Sequence, residues 1–278
     1  MVKVVTDSVA DMPSQVVEEL GITVVPLVVR FGTEAYHDGL DLTADQFYEK
    51  LKKSGPLPAT SVPSPQDFAE VYDRLSEETS DILVITLTSK LSGTHDVALQ
   101  GIEMMKKKCR VEVIDSQWAV MAQGFVVISA AKAAQAGASF DDVRDIALRN
   151  ISRVDIRAAF DTLEYLRRGG RIGKAQAFLG SMLKVNPIIT LKEGVVEPVA
   201  RTHSRAGAIK YLGNFALSYS YIEEMAVEYA TTLEDVEVLI DRLSSKFPKH
   251  RIYRTRASPV IGTHTGPGLL VISILGDR

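Results

Sequence analysis

Residues 81–87, Asp-Ile-Leu-Val-Ile-Thr-Leu, make a continuous apolar run of strand length, and residues 88–95, Thr-Ser-Lys-Leu-Ser-Gly-Thr-His, carry it through a hydroxyl-rich turn into a helix beginning near Ser92. A strand without polar alternation is buried on both faces, and a strand that runs straight into a helix is the building unit of a parallel sheet. The pattern repeats on both sides. MVKVVTDS opens the chain as a short apolar run stopping at a polar pair, and MPSQVVEELG follows as a helix with Pro13 in its first turn and Gly21 at its end. VVPLVVR is strand-like, Thr43 and Gln46 have capping-box spacing, and Ser64-Pro65 starts a helix with Phe68, Val71, Tyr72 and Leu75 on one face. CRVEVIDS is a further strand, the Ala-rich stretch to Gly137 reads as a buried helix, and Ser139 and Asp142 cap another. Strands alternating with helices predict a mostly parallel sheet covered on both faces.

After about residue 153 the texture changes. VNPIITL and VVEPVAR flank Lys192-Glu193-Gly194 as a hairpin. A helix from Ser204 to about Ser218, the strand EMAVEYA, a helix through Leu233 to Leu243, the strand HRIYRT and the terminal LLVISIL follow. The expected architecture is therefore α/β in two domains: residues 1–155 with a parallel sheet, and residues 156–278 as an α+β unit with a mixed sheet. The length of 278 residues suits two domains. No Pro/Ser-rich linker separates them, which predicts close packing.

Composition narrows the function. Thirty-two basic and 35 acidic residues leave a net charge of −3, so no basic excess exists to grip a phosphate backbone. Cys109 is the single cysteine, which excludes an intramolecular disulfide and a Cys-rich zinc site, and its place ahead of a strand reads as structural. The histidines 37, 95, 203, 250 and 264 lack H-x-x-x-H spacing. No run approaches the ~18 apolar residues of a membrane span, and Lys3 and Asp7 leave no room for a secretory apolar region. A soluble cytoplasmic protein without stable membrane insertion is expected. Asp7-Ser8 and Asp115-Ser116 each end a strand, and both pairs read as caps of free backbone N–H groups.

Three segments concentrate hydroxyls and glycine: Ala59–Ser64, Thr86–His95 and Gly262–Gly268. The second puts free N–H groups, Ser92, Gly93 and Thr94 at the carboxyl end of a buried strand, where ligands of open α/β sheets bind. Anion binding and plain helix capping both fit. No phosphate-loop sequence occurs, and Gly169-Gly170-Arg171-Ile172-Gly173 follows a charged helix rather than a strand, so a nucleotide is disfavoured. A donor-rich pocket without a lysine clamp suits one carboxylate. A hydrolase using Ser92 and His264 is the competing reading, although Leu91-Ser92-Gly93 lacks the G-x-S-x-G elbow.

Taken in order, T-D-S-V-A-D-M-P near the start, T-S-V-P-S-P at 60–65, L-S-G-T-H at 91–95, D-S-Q-W-A-V-M-A-Q-G at 115–124, D-T-L-E-Y-L-R-R-G-G-R-I-G at 161–173, L-G-S-M-L-K-V-N-P-I-I at 179–189 and I-G-T-H-T-G-P-G at 261–268 resemble the DegV family of bacterial fatty-acid-binding proteins. The resemblance runs nearly end to end. It implies a two-domain α/β protein with a long-chain fatty acid between the domains, no cofactor, no metal, no nucleic acid and no catalytic residue. It implies that Thr60, Ser61, Ser92, Gly93, Thr94 and His264 bind the carboxylate, and that Arg171 and Arg201 lie near the mouth, engaging a partner or an acyl-phosphate product. The implied partner is a separate ATP-dependent fatty acid kinase. The alternatives are an enzyme, either a Ser92/His264 hydrolase or a dihydroxyacetone-kinase-like subunit, and a transcriptional regulator, for which no basic recognition helix stands out. Val62 replaces a glutamine expected after T-S, and Asn186 a lysine expected before P-I-I. Met121, Phe125, Phe160, Phe178 and Met182 are apolar residues that suit either a tail pocket or an ordinary core.

Overall fold

The computed structural model of the chain describes residues 1–179 and 185–278. Strand β1 (Lys3–Asp7) leads through a 3-10 turn to α1 (Ser14–Glu19) and β2 (Thr23–Val25), which lies parallel to β1. The run VVPLVVR is two strands rather than one. Pro26 has no N–H to continue the ladder, so β2 stays beside β1 while β3 (Val28–Phe31) starts a separate antiparallel sheet. That sheet has β3 at its centre, with β4 (Glu34–His37) on one side and, after α2 (Ala44–Lys53), β5 (Ala59–Ser61) on the other. Thr43 and Gln46 form the expected capping box of α2, and Ser64 with Asp67 forms that of α3 (Pro65–Leu75). Then β6 (Asp81–Thr86), α4 (Thr94–Glu103) and β7 (Arg110–Asp115) complete a parallel sheet of order β2-β1-β6-β7.

Successive residues of its central strands face opposite ways. Val5, Ile82 and Val84 pack on Phe68 and Tyr72 of α3 and Ala98 of α4. Val4, Leu83 and Ile85 belong to the core around α5 (Val120–Gln135). Twelve of the 16 residues of α5 are buried, because this helix lies between the parallel sheet and a second one and meets solvent only near its C-terminal end, at Lys132 and Gln135. Helix α6 (Phe140–Ile151), capped by Ser139, packs on it.

The second sheet begins at β8 (Val154–Ala159), so the expected boundary at 155/156 falls just inside its first strand. After α7 (Glu164–Arg168), the hairpin of β9 (Asn186–Lys192) and β10 (Val195–Thr202) turns on Glu193 and Gly194, both at positive φ, the geometry of a two-residue hairpin turn. Helix α8 (Arg205–Leu217), β11 (Tyr221–Tyr229), α9 (Leu233–Leu243), β12 (Ile252–Arg256), α10 (Pro259–Thr265) and β13 (Leu270–Asp277) follow. The order is β10-β9-β8-β13-β11-β12, antiparallel except for β11 with β12, which is the mixed sheet expected. One face, with Ala159, Ile188, Leu270 and Ile272, packs against α8 and α9. The other face turns towards α5 and the parallel sheet, and its residues join the same core as Val4 and Leu83.

Candidate functional site

Strands β1 and β6 are neighbours whose onward connections lead to opposite edges of the parallel sheet, which makes their carboxyl ends the switch point where open α/β sheets bind ligands. Two aspartates shape that end. Asp7 accepts hydrogen bonds from the N–H groups of Val9 and Leu87, at 3.1 and 2.7 Å, and from the Gln123 side chain at 3.1 Å. Asp115 accepts from the N–H groups of Ser89 and Gln117. The two Asp-Ser pairs thus cap backbone donors and hold the loop leaving β6 from both sides. Burial pushes the Asp7 carboxyl up to about 6.

Between this loop and the free face of the mixed sheet lies a cavity of about 110 Å³. Val9, Leu27, Leu87 and Leu91 form one wall; Ile156, Ala158, Ile189 and Val271 form the other. Three of those sheet residues are one row, Ala158 pairing with Ile189 on one side and Val271 on the other, and Ile156 stands two residues along β8 on the same face. The polar lining is Thr60, Ser92, Arg171, His264 and Thr265. Three of these, Thr60, Arg171 and His264, also line an outer cleft of about 430 Å³ formed with residues 55–59, Tyr165, Arg168 and Thr263. They are the partition between an apolar interior and the outside.

Thr60 is placed by β5, whose pairing sets it opposite Val29. Its Oγ1 lies 2.8 Å from His264 Nε2. His264 sits in the last turn of α10, a helix started by Ser258 as cap and Pro259 at its first position. The sequence reading assigned no helix there, although Ser258-Pro259 has the same start signal as Ser64-Pro65. His264 is half-buried, and its Nδ1 is enclosed with no hydrogen-bond partner. It fits against Gly169 so closely that a Cβ on that glycine would stand 2.3 Å from Nδ1. Burial first, and then the positive charge of Arg171, hold His264 down at about 4, so the imidazole is neutral.

Ser92 Oγ lies 2.9 Å from Thr94 Oγ1 and accepts from the Thr94 N–H at 3.4 Å. The helix begins at Thr94 with Gly93 as its cap residue, two positions later than Ser92. Arg171 spends its guanidinium on backbone: Nε donates to Leu91 O at 3.1 Å and an Nη to Gly169 O at 2.6 Å, tying the Ser92 loop to the end of α7. Thr60, Ser92, Arg171 and His264 are thus brought together. Ser61, next to Thr60 on a strand and so facing the other way, does not line the cavity, nor do Gly93 and the fully buried Thr94. Arg201 lines neither space; it donates to Ala177 O and stacks 4.1 Å over Phe178. Val62 is partly exposed beside Gly93, and Asn186 donates to Phe160 O and Asp161. Of the apolar candidates, Phe160 lines the cavity, Met121 and Phe125 are buried in the core away from it, and Met182 lies outside the described residues.

A nucleophilic triad is not assembled. His264 pairs with Thr60 rather than Ser92, and its second nitrogen meets no carboxylate to orient it. Cys109 is half-buried between α4 and β7, and burial raises its thiol. Among the described residues no group of three or more His, Cys, Asp or Glu is placed to hold a metal, and no helix is long and apolar enough to cross a membrane.

The chain as a whole has known relatives. The model of the DegV family matches residues 1–277. A DegV domain-containing protein of Streptomyces coelicolor is 36% identical over 277 residues, covering 98% of both chains. A DegV family protein of Thermus thermophilus, solved for its fatty acid binding, superposes with a TM-score of 0.90 at 33% identity over 99% of each chain. DegV of Bacillus subtilis, a fatty acid binding protein, gives 0.87 at 33% identity, also over 99% of each.

Proposed function

This chain belongs to the DegV family, and from that premise we propose that it binds one long-chain fatty acid, tail in the apolar cavity and carboxylate at Thr60, Ser92 and His264. The observation that carries the reading is the partition: an apolar chamber between two sheets whose polar groups gather at the wall shared with the outer cleft. A tail with about 14 methylenes offers ~11 kcal/mol gross at ~0.8 kcal/mol each, of which association and ordering remove much. The tail supplies affinity and the hydroxyls orient the head.

Hydrogen bonding assigns the donors. An orphan acceptor is better tolerated in an interior than an orphan N–H, so the unpartnered Nδ1 of His264 is the bare nitrogen and Nε2 carries the proton. Nε2–H then donates to Thr60 Oγ1, which frees the Thr60 hydroxyl to donate to a carboxylate. Between Ser92 and Thr94 either hydroxyl can donate; with Thr94 as the donor, the Ser92 hydroxyl is left for the ligand. Ser61, Gly93 and Thr94 act by shaping the two loops that present these hydroxyls.

The finer part of the proposal is presentation: the carboxylate, reached through the outer cleft past Arg168 and Arg171, is offered to a separate ATP-dependent fatty acid kinase, which forms the acyl phosphate. Organic extraction of the purified protein, followed by mass spectrometry, tests the binding. A stoichiometric fatty acid supports it; an empty extract, still empty after incubation with excess palmitate and oleate, refutes it. Adding candidate kinases and ATP to the loaded protein then tests presentation, with acyl phosphate as the readout.

A further inference from the structure

Away from the cavity, a second cleft of about 500 Å³ opens where the loop after β1 meets the end of β12 and the start of α10. Three carboxyls meet beneath it. Asp11 comes from the β1 loop, Asp38 from the residue after β4 and Glu228 from β11, so both sheets and the small antiparallel sheet contribute one each. All three are buried, at 8%, 3% and 0% exposure, and in each one oxygen finds no donor: Asp11 Oδ1, Asp38 Oδ1 and Glu228 Oε1. The remaining oxygens are engaged. Asp11 Oδ2 accepts from the Ser258 N–H at 3.2 Å, Asp38 Oδ2 from the Ser8 hydroxyl at 2.7 Å and Glu228 Oε2 from the Met121 N–H at 3.2 Å.

Three buried carboxylates with three donorless oxygens would be costly if all were ionised. Among the described residues no cation relieves them. Arg254 and Arg256 line the same cleft but pair with Glu237 and Asp45, and Arg256 also donates to Ala230 O. The other groups facing the cluster add negative charge or none: Asp7 and Glu18 line the cleft, and the Tyr48 hydroxyl donates to Ala257 O. Asp11 and Glu228 repel each other when both are charged, and one proton shared between them would satisfy their donorless oxygens.

The cluster grips the cap of α10. Ser258, whose N–H Asp11 accepts, is the residue that starts this helix, and Asp38 stands beside Ser258 and Val260. Val260 and Ile261 line the cavity, and His264 closes it. One short helix therefore connects the carboxyls to the head-group site.

We propose that Asp11, Asp38 and Glu228 are a proton-operated latch: protonated, they hold α10 in place, and losing protons as pH rises, they release α10 and weaken fatty-acid binding. The proposal rests on the fatty-acid reading for its ligand but not for the latch. Burial and mutual repulsion raise the titration of the Asp11–Glu228 pair, and burial and Asp11 bring Asp38 to about 7, so the change falls in a physiological range. The folded chain holds these protons more tightly than the unfolded one, so the latch is intact at low pH and is lost on the alkaline side.

The experiment uses the full chain. Affinity for oleate and backbone amide protection over residues 258–262 are measured from about pH 6 to about pH 8.5, for the wild type, Glu228→Gln and Asp11→Asn. One linked proton raises Kd by up to about tenfold per pH unit above its midpoint, and about fivefold or more is expected across the range. Glutamine supplies the missing donor permanently, and asparagine suits the left-handed backbone of residue 11 (φ 47°), so both variants should fold and flatten both profiles. Variants that track the wild type at every pH overturn the latch, because the ligand's own titration and that of His264 are common to all three. Wild-type protection that does not fall with pH also overturns it. Failure to bind oleate at any pH, with protection still falling in the wild type and flat in Glu228→Gln, overturns the fatty-acid reading and leaves the latch standing.

Discussion

Replacing Gly169 by alanine should disable the head-group site without disturbing the fold. The backbone of Gly169 is helical, with φ −72° and ψ −8°, so alanine meets no backbone penalty there and gains about 0.4–1 kcal/mol from a less flexible unfolded chain. The new methyl, however, would stand 2.3 Å from His264 Nδ1 and 3.0 Å from Cε1. Both are ring atoms of a half-buried side chain at the end of a helix, so the ring must rotate or move away, and the 2.8 Å contact to Thr60 is lost with it. A hydrogen bond to a charged group is worth about 1.5–3 kcal/mol, so losing the ordered Thr60 donor should raise the Kd for oleate or palmitate about ten- to 150-fold. Titration calorimetry reads the affinity, and urea unfolding reads the fold, which should change by less than about 1–2 kcal/mol because overpacking and backbone gain oppose each other. A double-mutant cycle sharpens the test. If Gly169 acts by seating His264 against Thr60, then Gly169→Ala adds little once Thr60→Val has removed the hydroxyl. Additive losses, or an unchanged affinity in Gly169→Ala, would refute the reasoning.

His264 should titrate near 4 in the free protein, against an ordinary 6.5, and a bound carboxylate should raise it; imidazole proton shifts in NMR read both values. Since the unfolded chain takes a proton at the ordinary value and the folded chain resists until about 4, the stability from neutral His264 is whole above 6.5 and is lost as pH falls through that window. His264→Ala should abolish that part of the pH dependence and weaken fatty-acid binding more than folding. Ala158 and Ala159 are neighbours on β8 facing the cavity and the α8 side respectively. Ala158→Leu should fill tail space, lowering affinity for long acids more than for short ones with little change in melting temperature, whereas Ala159→Leu should cost about 1–3 kcal/mol by overpacking and leave chain-length preference alone. Equal effects of the two substitutions on chain-length preference would contradict the assignment of faces.

Local order was legible where one short segment contains its own explanation. The run from Asp81 to Thr86 and its hydroxyl turn announced the parallel sheet, and Thr43, Ser64, Ser139 and Ser204 each marked a helix start by accepting a hydrogen bond three residues on. The split at Pro26 could have been read from the missing donor, and α10 from Ser258-Pro259. The tail wall could not. Where β8, β9 and β13 run together, apolar residues occupy both faces, because helices cover one and the cavity opens on the other, so Ala158 and Ala159, or Ile188 and Ile189, look alike in sequence while only Ala158 and Ile189 line the cavity. The Thr60–His264 pair is separated by 204 residues, and the Arg171–Leu91 bond by 80. Such partners are set by how sheets pack, and neither periodicity nor local motif carries that information. Arg171 and Arg201 look equally free in sequence; backbone carbonyls claim one, and Phe178 with Ala177 O claims the other.

The electrostatics of the site bear on what the proposed handover requires. Among the described residues the cation at the partition is Arg171, whose Nε and one Nη donate to the carbonyls of Leu91 and Gly169. His264 is neutral, and the donors nearest to it are the hydroxyls of Thr60 and Ser92, with Arg171 held back by its two backbone bonds. A carboxylate held by a bidentate arginine would be anchored firmly, and its charge would be neutralised just where it must attack a phosphoryl group. Held by two hydroxyls, the same carboxylate keeps its charge and its nucleophilic lone pairs, and faces outward through the cleft beside Arg168. Binding strength is thereby assigned to the tail, which takes no part in the chemistry, and the head group is oriented without being quenched. A site built to retain a fatty acid indefinitely would place the charge the other way, with Arg171 turned inward onto the ligand.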